Sequence, residues 1–299
     1  MRNSIGIITE ETTGLSEEII KENRIEIVPC KVTWPEGDNL PGENIYQKMR
    51  EGEKMGIKIF PKTSQPSPKD YLSAFQKQLR NEVSGAGFEK ILCITLSSKL
   101  SGSFNSAYQA RKMLKEKERI FLFDSLNVAV GQALLVLKVI DLIKKGKEIE
   151  EILKECQKSI SKIHFYIFVE DPKWLEAGGR LSHSVANWVK SFQKMHLFPC
   201  LGIKNGVVKA LGITKGKDIC EALFRQIESK SKKLGHPLCG YPKKIRVAIS
   251  YTDNFEMAKN LEKEIKERLK VEIPLITFLS PVVGAHLGPD SLVAAWTEI

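Results

Sequence analysis

The chain reads Ile91-Leu92-Cys93-Ile94-Thr95-Leu96-Ser97-Ser98-Lys99-Leu100-Ser101-Gly102-Ser103-Phe104-Asn105-Ser106-Ala107 at the point that decides its fold class. Residues 91–96 form a short apolar run of the buried-strand type. From about 103 to 117, Phe104, Ala107, Tyr108 and Leu114 recur on one face of a helix. A hydroxyl-rich corner joins the two. The first N–H groups of a helix lack partners within it, and serines there cap the helix and add donors, so the corner can hold an anion. Open α/β sheets place ligands at such carboxyl ends of strands.

Strands alternate with helices on both sides of this corner. Residues 5–8 read as a strand, about 16–23 as a helix, and 25–32 as a second strand. Helices follow near 43–51 and over 68–81. Residues 120–123 read as a strand, ahead of helices at about 127–145 and 148–159. That alternation predicts a mainly parallel sheet flanked by helices. In the second half, 164–169 reads as a strand, with helices near Trp174 and over about 184–193. Lys204-Asn205-Gly206 joins the apolar runs 198–203 and 207–211, and Asn-Gly in that setting is the strongest short hairpin signal. A helix over about 217–230, a strand at 245–250, a helix over about 254–269 and a strand at 273–279 precede a Gly-rich loop and a C-terminal helix. A chain of 299 residues is expected to form two α/β domains, 1–160 and 161–299, the second with a mixed sheet.

Composition narrows the function classes. Apolar residues make up 42% and charged residues 27%, as in an ordinary globular protein, and no apolar run approaches the ~18 residues of a membrane span. The chain enters Ile5-Gly6-Ile7-Ile8 without a signal-peptide pattern, so a cytoplasmic location is expected. Cys30, Cys93, Cys156, Cys200, Cys220 and Cys239 show no pair at two-residue spacing, which argues against a zinc knuckle, a redox dithiol or a disulfide framework. The net charge of +10 admits nucleic acid, an anionic ligand or an acidic partner. The densest basic stretch (Lys230, Lys232, Lys233, Lys243, Lys244, Arg246) straddles a Gly/Pro-rich turn without interleaved aromatics, which reads as solvated surface and not as a nucleic-acid site.

Three further loops carry chemistry. Pro61-Lys62-Thr63-Ser64-Gln65-Pro66-Ser67-Pro68 holds three prolines in eight residues, so its backbone is restricted while its side chains supply hydrogen bonds. Ser67 caps a helix with Pro68 at its first position, but that leaves Thr63, Ser64 and Gln65 unexplained. Glu176-Ala177-Gly178-Gly179-Arg180-Leu181-Ser182 permits a tight turn that holds Arg180 where its fork can engage a carboxylate or phosphate, or form a structural ion pair. Gly284-Ala285-His286-Leu287-Gly288-Pro289-Asp290-Ser291 reads as a loop that brackets His286 with glycines, suiting it to donate to an oxyanion or to serve as a base.

Taken in order and spacing, Lys-Thr-Ser-Gln-Pro-Ser at 62–67, Ser-Ser-Lys-Leu-Ser-Gly-Ser at 97–103, Phe-Asp-Ser at 123–125, Gly-Gly-Arg-Leu-Ser at 178–182 and Gly-Ala-His-Leu-Gly-Pro at 284–289 resemble the DegV family from end to end. The resemblance implies a bacterial two-domain α/β protein that binds one long-chain fatty acid between its domains. It also implies a fatty acid kinase as partner, which phosphorylates the carboxylate while the carrier does no chemistry. On this resemblance the carboxylate bonds Thr63 and Ser101, with Ser98, Gly102 and His286 close by. The acyl chain enters a tunnel lined largely by the second domain. Ser64, Gln65, Arg180 and Lys215 fall at the pocket mouth or on the kinase-facing surface. A monomer with no cofactor and no metal is expected, with room for transient membrane-surface contact. The physics suits a lipid, because each buried methylene contributes about 0.8 kcal/mol.

Four positions at three sites depart from the family pattern. Glu10-Glu11-Thr12 stands where Asp-Ser-Thr is usual, Leu287 where Thr follows the His, and Lys215 where Arg is common, which loses a bidentate fork. The competing reading is an acyl hydrolase with Ser101 as nucleophile and His286 as base, or a phosphotransfer enzyme of related fold. The chain lacks a Gly-x-Ser-x-Gly elbow, and no acidic residue is tied by motif to His286.

Overall fold

The computed structural model describes residues 4–58, 60–80, 87–195, 197–233, 245–269 and 271–299, with the backbone alone over 230–233. The first part of the chain runs β1 (Ile5–Glu10), α1 (Glu17–Glu22), β2 (Glu26–Val28), β3 (Lys31–Thr33), α2 (Ile45–Lys54), β4 (Lys62–Ser64), α3 (Pro68–Arg80), β5 (Lys90–Thr95), α4 (Ser103–Lys112), β6 (Ile120–Asp124), α5 (Ala129–Lys144) and α6 (Ile149–Ile160). Four of these strands form a parallel sheet in the order β2-β1-β5-β6. The strand order reverses between β1 and β5, so the carboxyl ends of those two strands open the crevice in which such sheets bind ligands. The corner at 96–102 leaves β5 into that crevice.

The expected single strand at 25–32 is two strands in different sheets. Pro29 has no N–H to continue the ladder, and after it the chain turns into β3, which pairs antiparallel with β4. That ribbon sets Thr63 opposite Val32, so part of the expected 61–68 loop is strand. The expected buried face of α4 is also corrected. Its core side is the small-residue set Ser103, Ser106, Ala107 and Ala110, while Tyr108 lies out at the surface under the Lys112 ammonium. Small residues let α4 approach α3 and the sheet closely.

The second part runs β7 (His164–Phe168), α7 (Lys173–Ala177), α8 (His183–Gln193), β8 (Phe198–Lys204), β9 (Val207–Thr214), α9 (Ile219–Lys233), β10 (Ile245–Tyr251), α10 (Phe255–Arg268), β11 (Val271–Phe278), α11 (Pro281–Leu287) and β12 (Leu292–Glu298). Its mixed six-stranded sheet has the order β11-β10-β12-β7-β8-β9, with β10 and β11 parallel and the remaining neighbours antiparallel. The Asn205-Gly206 turn forms as expected, both residues with positive φ.

The C-terminal expectation is overturned twice. His286 sits in the last turn of α11, which starts at Pro281 and ends on Gly288 with φ +80, and the final element is a strand. β12 is central in its sheet, with Val293 and Ala295 in one core cluster and Leu292, Ala294 and Trp296 in another. Burial on both faces abolishes the alternation that marks a half-exposed strand.

Helix α5 joins the two parts. Its residues are buried nearly all round, because it packs against β10 and β12 on one side and the β1 and β5 region on the other. Leu134, Leu135 and Val136 are about 1% exposed or less, each worth about 1.5–3 kcal/mol of burial. The basic turn proposed as solvated surface lies almost wholly outside the described residues, as does Cys239. Its one described side chain, Arg246, is buried in β10 and pairs with Asp141 and Glu272, so it is not part of a solvated face.

Candidate functional site

A cavity of about 610 Å3 opens at the reversal point of the parallel sheet, between it and the mixed sheet. Thr63, Ser64, Gln65, Ser98, Ser101, Gly102, Arg180 and His286 all line it. They come from β4 and its exit, the corner after β5, the turn after α7, and α11. Lys215 does not; it is exposed beyond β9. The rest of the lining is mostly aliphatic and aromatic: Val128 and Ala129 before and at the start of α5, Phe165 and Ile167 on β7, Leu287 on α11 and Val293 on β12. A polar end and an apolar body therefore share one space.

At the polar end, Thr63 Oγ1 lies 2.8 Å from His286 Nε2 in a hydrogen bond. His286 Nδ1 is buried without a partner. An unpaired ring acceptor is cheaper to bury than an unpaired N–H, so the proton resides on Nε2 and donates to Thr63. The Thr63 hydroxyl proton is then free to point into the cavity. Burial, and secondarily the Arg180 guanidinium, lower the His286 pKa to about 4, so the ring is neutral at physiological pH. Its position is fixed by a close approach: a Cβ at Gly178 would stand 2.0 Å from Nδ1. Gly284, two residues before His286, leaves room for the Tyr46 ring, whose hydroxyl donates to the Leu279 carbonyl.

The corner is a tight turn built on Ser97, whose carbonyl accepts from the N–H groups of Leu100 and Ser101 and whose hydroxyl donates to the Gly206 carbonyl of the hairpin. Ser101 Oγ accepts from the Ser103 N–H and is hydrogen-bonded to the Ser103 hydroxyl, so the side chain that serves the start of α4 stands one residue before its Gly102 cap. The end of the Gln65 side chain packs over Gly102, and Gln65 Nε2 donates to Ser106. Asp124 accepts from the N–H groups of Ser98 and Leu126, which ties the corner to the end of β6. Ser64, Gln65 and Ser98 are exposed, so the polar end faces solvent.

Arg180 and the exposed Lys99 supply positive charge in the lining. Arg180 is half-buried and donates to the carbonyls of Gly178 and Leu100, and among the described residues no carboxylate lies within ion-pair reach of it. Of the two readings open for Arg180, a structural ion pair is absent from those residues.

Glu10 does not face the head-group end. It is fully buried behind the corner, accepting from the Tyr71 hydroxyl, from Leu96 N–H at 3.0 Å and from Gln132 Nε2 at 2.7 Å. Burial raises its pKa to about 7 although these bonds pull the other way. Glu11 is half-buried with its pKa also raised by burial. Burial, then the Glu10 and Glu11 charges, push the Cys30 thiol well up, so this cavity-lining cysteine is not a thiolate nucleophile. Sequence reasoning missed Thr12, Cys30 and the apolar lining, whose residues come together only through the packing of α5, β7 and α11. Among the described residues no group of acidic, histidine or cysteine side chains could hold a metal, and no helix is long and apolar enough to cross a membrane.

Comparison with known proteins places this geometry. The model of a family described as uncharacterised proteins of the DegV type matches residues 4–298. The chain belongs to the DegV family. A DegV domain-containing protein of Staphylococcus aureus is 28% identical over 296 residues, spanning 96% of this chain and 95% of its own. A DegV family protein of Thermus thermophilus, described by its fatty acid binding, has a TM-score of 0.80 at 24% identity, covering 99% of this chain and 100% of its own. A stearic-acid-binding protein of Eubacterium ventriosum has a TM-score of 0.81 at 22% identity, with 98% and 97% covered. At these identities the structural matches establish the two-domain DegV fold.

Proposed function

We propose that the protein binds one long-chain fatty acid without covalent attachment and presents its carboxylate to a fatty acid kinase. In this reading Thr63 and Ser101 hold the carboxylate, with Ser98, Gly102, Arg180 and His286 around it, and the apolar body of the cavity takes the acyl chain. Ser64, Gln65 and exposed Lys215 belong to the face the kinase meets. The observation that carries the reading is the union, in one cavity, of a Thr63 hydroxyl hydrogen-bonded to His286, a half-buried guanidinium without a carboxylate partner and an aliphatic body. An amphiphilic anion satisfies all three at once. Family members described as binding fatty acids support the choice of ligand. The division of labour, polar loops from 1–160 and much of the aliphatic wall from 161–299, is part of the same proposal, as is a cytoplasmic, monomeric, cofactor-free carrier.

The arrangement suits holding rather than cleaving. Ser101 Oγ pairs with Ser103 and not with His286, and Nδ1 of His286 has no carboxylate to orient it as a base. The solvent-facing polar end leaves a bound carboxylate within reach of a second protein. The test is to strip the protein of lipid, add palmitate or oleate and follow thermal unfolding, then offer the loaded protein to a fatty acid kinase with ATP. A rise in melting temperature, acyl phosphate formation and no turnover of acyl esters are expected. No thermal shift with either acid would sink the lipid reading, and hydrolysis of acyl esters that is lost in Ser101→Ala would replace it with the hydrolase.

A further inference from the structure

Phe165 stands in the wall of two cavities at once. One is the cavity described above; the other, about 530 Å3, opens where β7 begins, between the β8–β9 hairpin and α9. Along β7 the side chains alternate, Phe165 and Ile167 joining the core around α5 while Tyr166 and Phe168 join the core on the opposite face. The segment before α5 completes the partition, with Val128 and Ala129 lining the first cavity and Leu126 and Asn127 the second. Leu126 and Ala129 both hold φ +48, a conformation that residues of their type rarely adopt. The Phe165 ring is seated against Gly131 of α5, where a Cβ would come within 2.6 Å of its Cδ2. Ile160, Ile163, Ile203 and Leu211 give the second cavity an aliphatic side beyond the ring, and polar residues such as His164, Lys204 and Gln226 line the rest.

We infer that the second cavity is the distal extension of the acyl site, shut off by the Phe165 ring, and that Phe165 sets the longest acyl chain the protein accepts. The inference rests on the fatty-acid reading above. A methyl end needs no polar partner, so removing the ring admits further methylenes along the aliphatic side of the second cavity, each pair that gains cover there being worth about tenfold in affinity.

The experiment offers lipid-free protein an equimolar mixture of laurate, palmitate, stearate, arachidate and behenate and reads the bound species by native mass spectrometry. Phe165→Ala shifts the bound ratio of behenate to palmitate upward by tenfold or more, still with one acid per chain. Phe165→Leu, which keeps more of the packing volume, shifts it in the same direction by less. Leu211→Trp, placed from the partly exposed hairpin into the second cavity, returns the Phe165→Ala ratio toward that of the parent. An unchanged ratio in both Phe165 variants, or two acids per chain, overturns the inference while the fatty-acid reading stands. Failure of the parent protein to bind any of the five acids instead removes the reading on which it rests.

Discussion

Thr63→Val deletes one hydroxyl from the head-group end while keeping the β-branched shape that suits the β3–β4 ribbon. In the lipid-free protein it strips His286 Nε2 of its bond, and since Nδ1 has no partner either, the ring becomes a buried polar group with no bond at all. That costs about 1–3 kcal/mol of folding stability. With fatty acid present a hydrogen bond to a charged group is lost in addition, about 1.5–3 kcal/mol, so Kd for palmitate rises roughly ten- to hundredfold. The two effects separate in the double variant Thr63→Val with His286→Leu. Removing both polar partners restores part of the stability, but the affinity stays low. Isothermal titration with palmitate reports affinity and urea unfolding of lipid-free protein reports stability, both at mildly alkaline pH, where His286 is neutral. Palmitate affinity within twofold of the parent, alongside reduced stability, would refute the assignment of Thr63 to the carboxylate and leave it as a prop for His286.

Three other outcomes follow from the same geometry. The pKa of Glu10 is raised in the fold from 4.5 to about 7, so the stability its protonated form contributes is full below 4.5 and is lost as pH rises through about 7, a total of about 3 kcal/mol. Glu10→Gln therefore gains on the parent by up to that amount between acidic and alkaline pH, and a urea midpoint difference that stays constant across the range would contradict this. Gly178→Ala drives a Cβ into the His286 ring, so palmitate affinity falls together with about 1–3 kcal/mol of stability; unchanged affinity would show that His286 is not needed where it stands. Arg180→Gln removes the half-buried cation of the site and leaves the exposed Lys99, so affinity falls and its dependence on ionic strength becomes shallower; an unaltered salt slope would remove Arg180 from the binding end.

The parts of this molecule that were legible in its sequence are those fixed by local chemistry. The strand-to-helix corner at 96–102, the Ser67-Pro68 helix start and the Asn205-Gly206 hairpin each depend on cap and turn residues a few positions apart, and each forms. Where neighbours in sequence are not neighbours in burial, the reading failed. β12 lost its alternation because helices cover both faces, and the segment after Pro289 was expected as a helix instead. The true helix there, α11, was announced by Pro281 and Gly288, but the glycines around His286 outweighed that punctuation as a loop signal. Pro29 marked the break between β2 and β3, yet the apolar run on either side of it read as one strand. The hydroxyls of the site were visible because motifs carry them. Its apolar walls were not, since Val128, Phe165, Leu287 and Val293 meet only when α5 is set between the sheets. The role of Glu10 depends on Gln132, 122 residues away, and no local pattern records such a contact.

Native mass spectrometry of the protein as it is purified from cells, followed by solvent extraction and identification of what is released, tests the central claim most directly. The account predicts a single added mass equal to one long-chain fatty acid, released on denaturation and recovered as the free acid. Repeated preparations that carry no acyl species, and that take up none when palmitate or oleate is added, would contradict it.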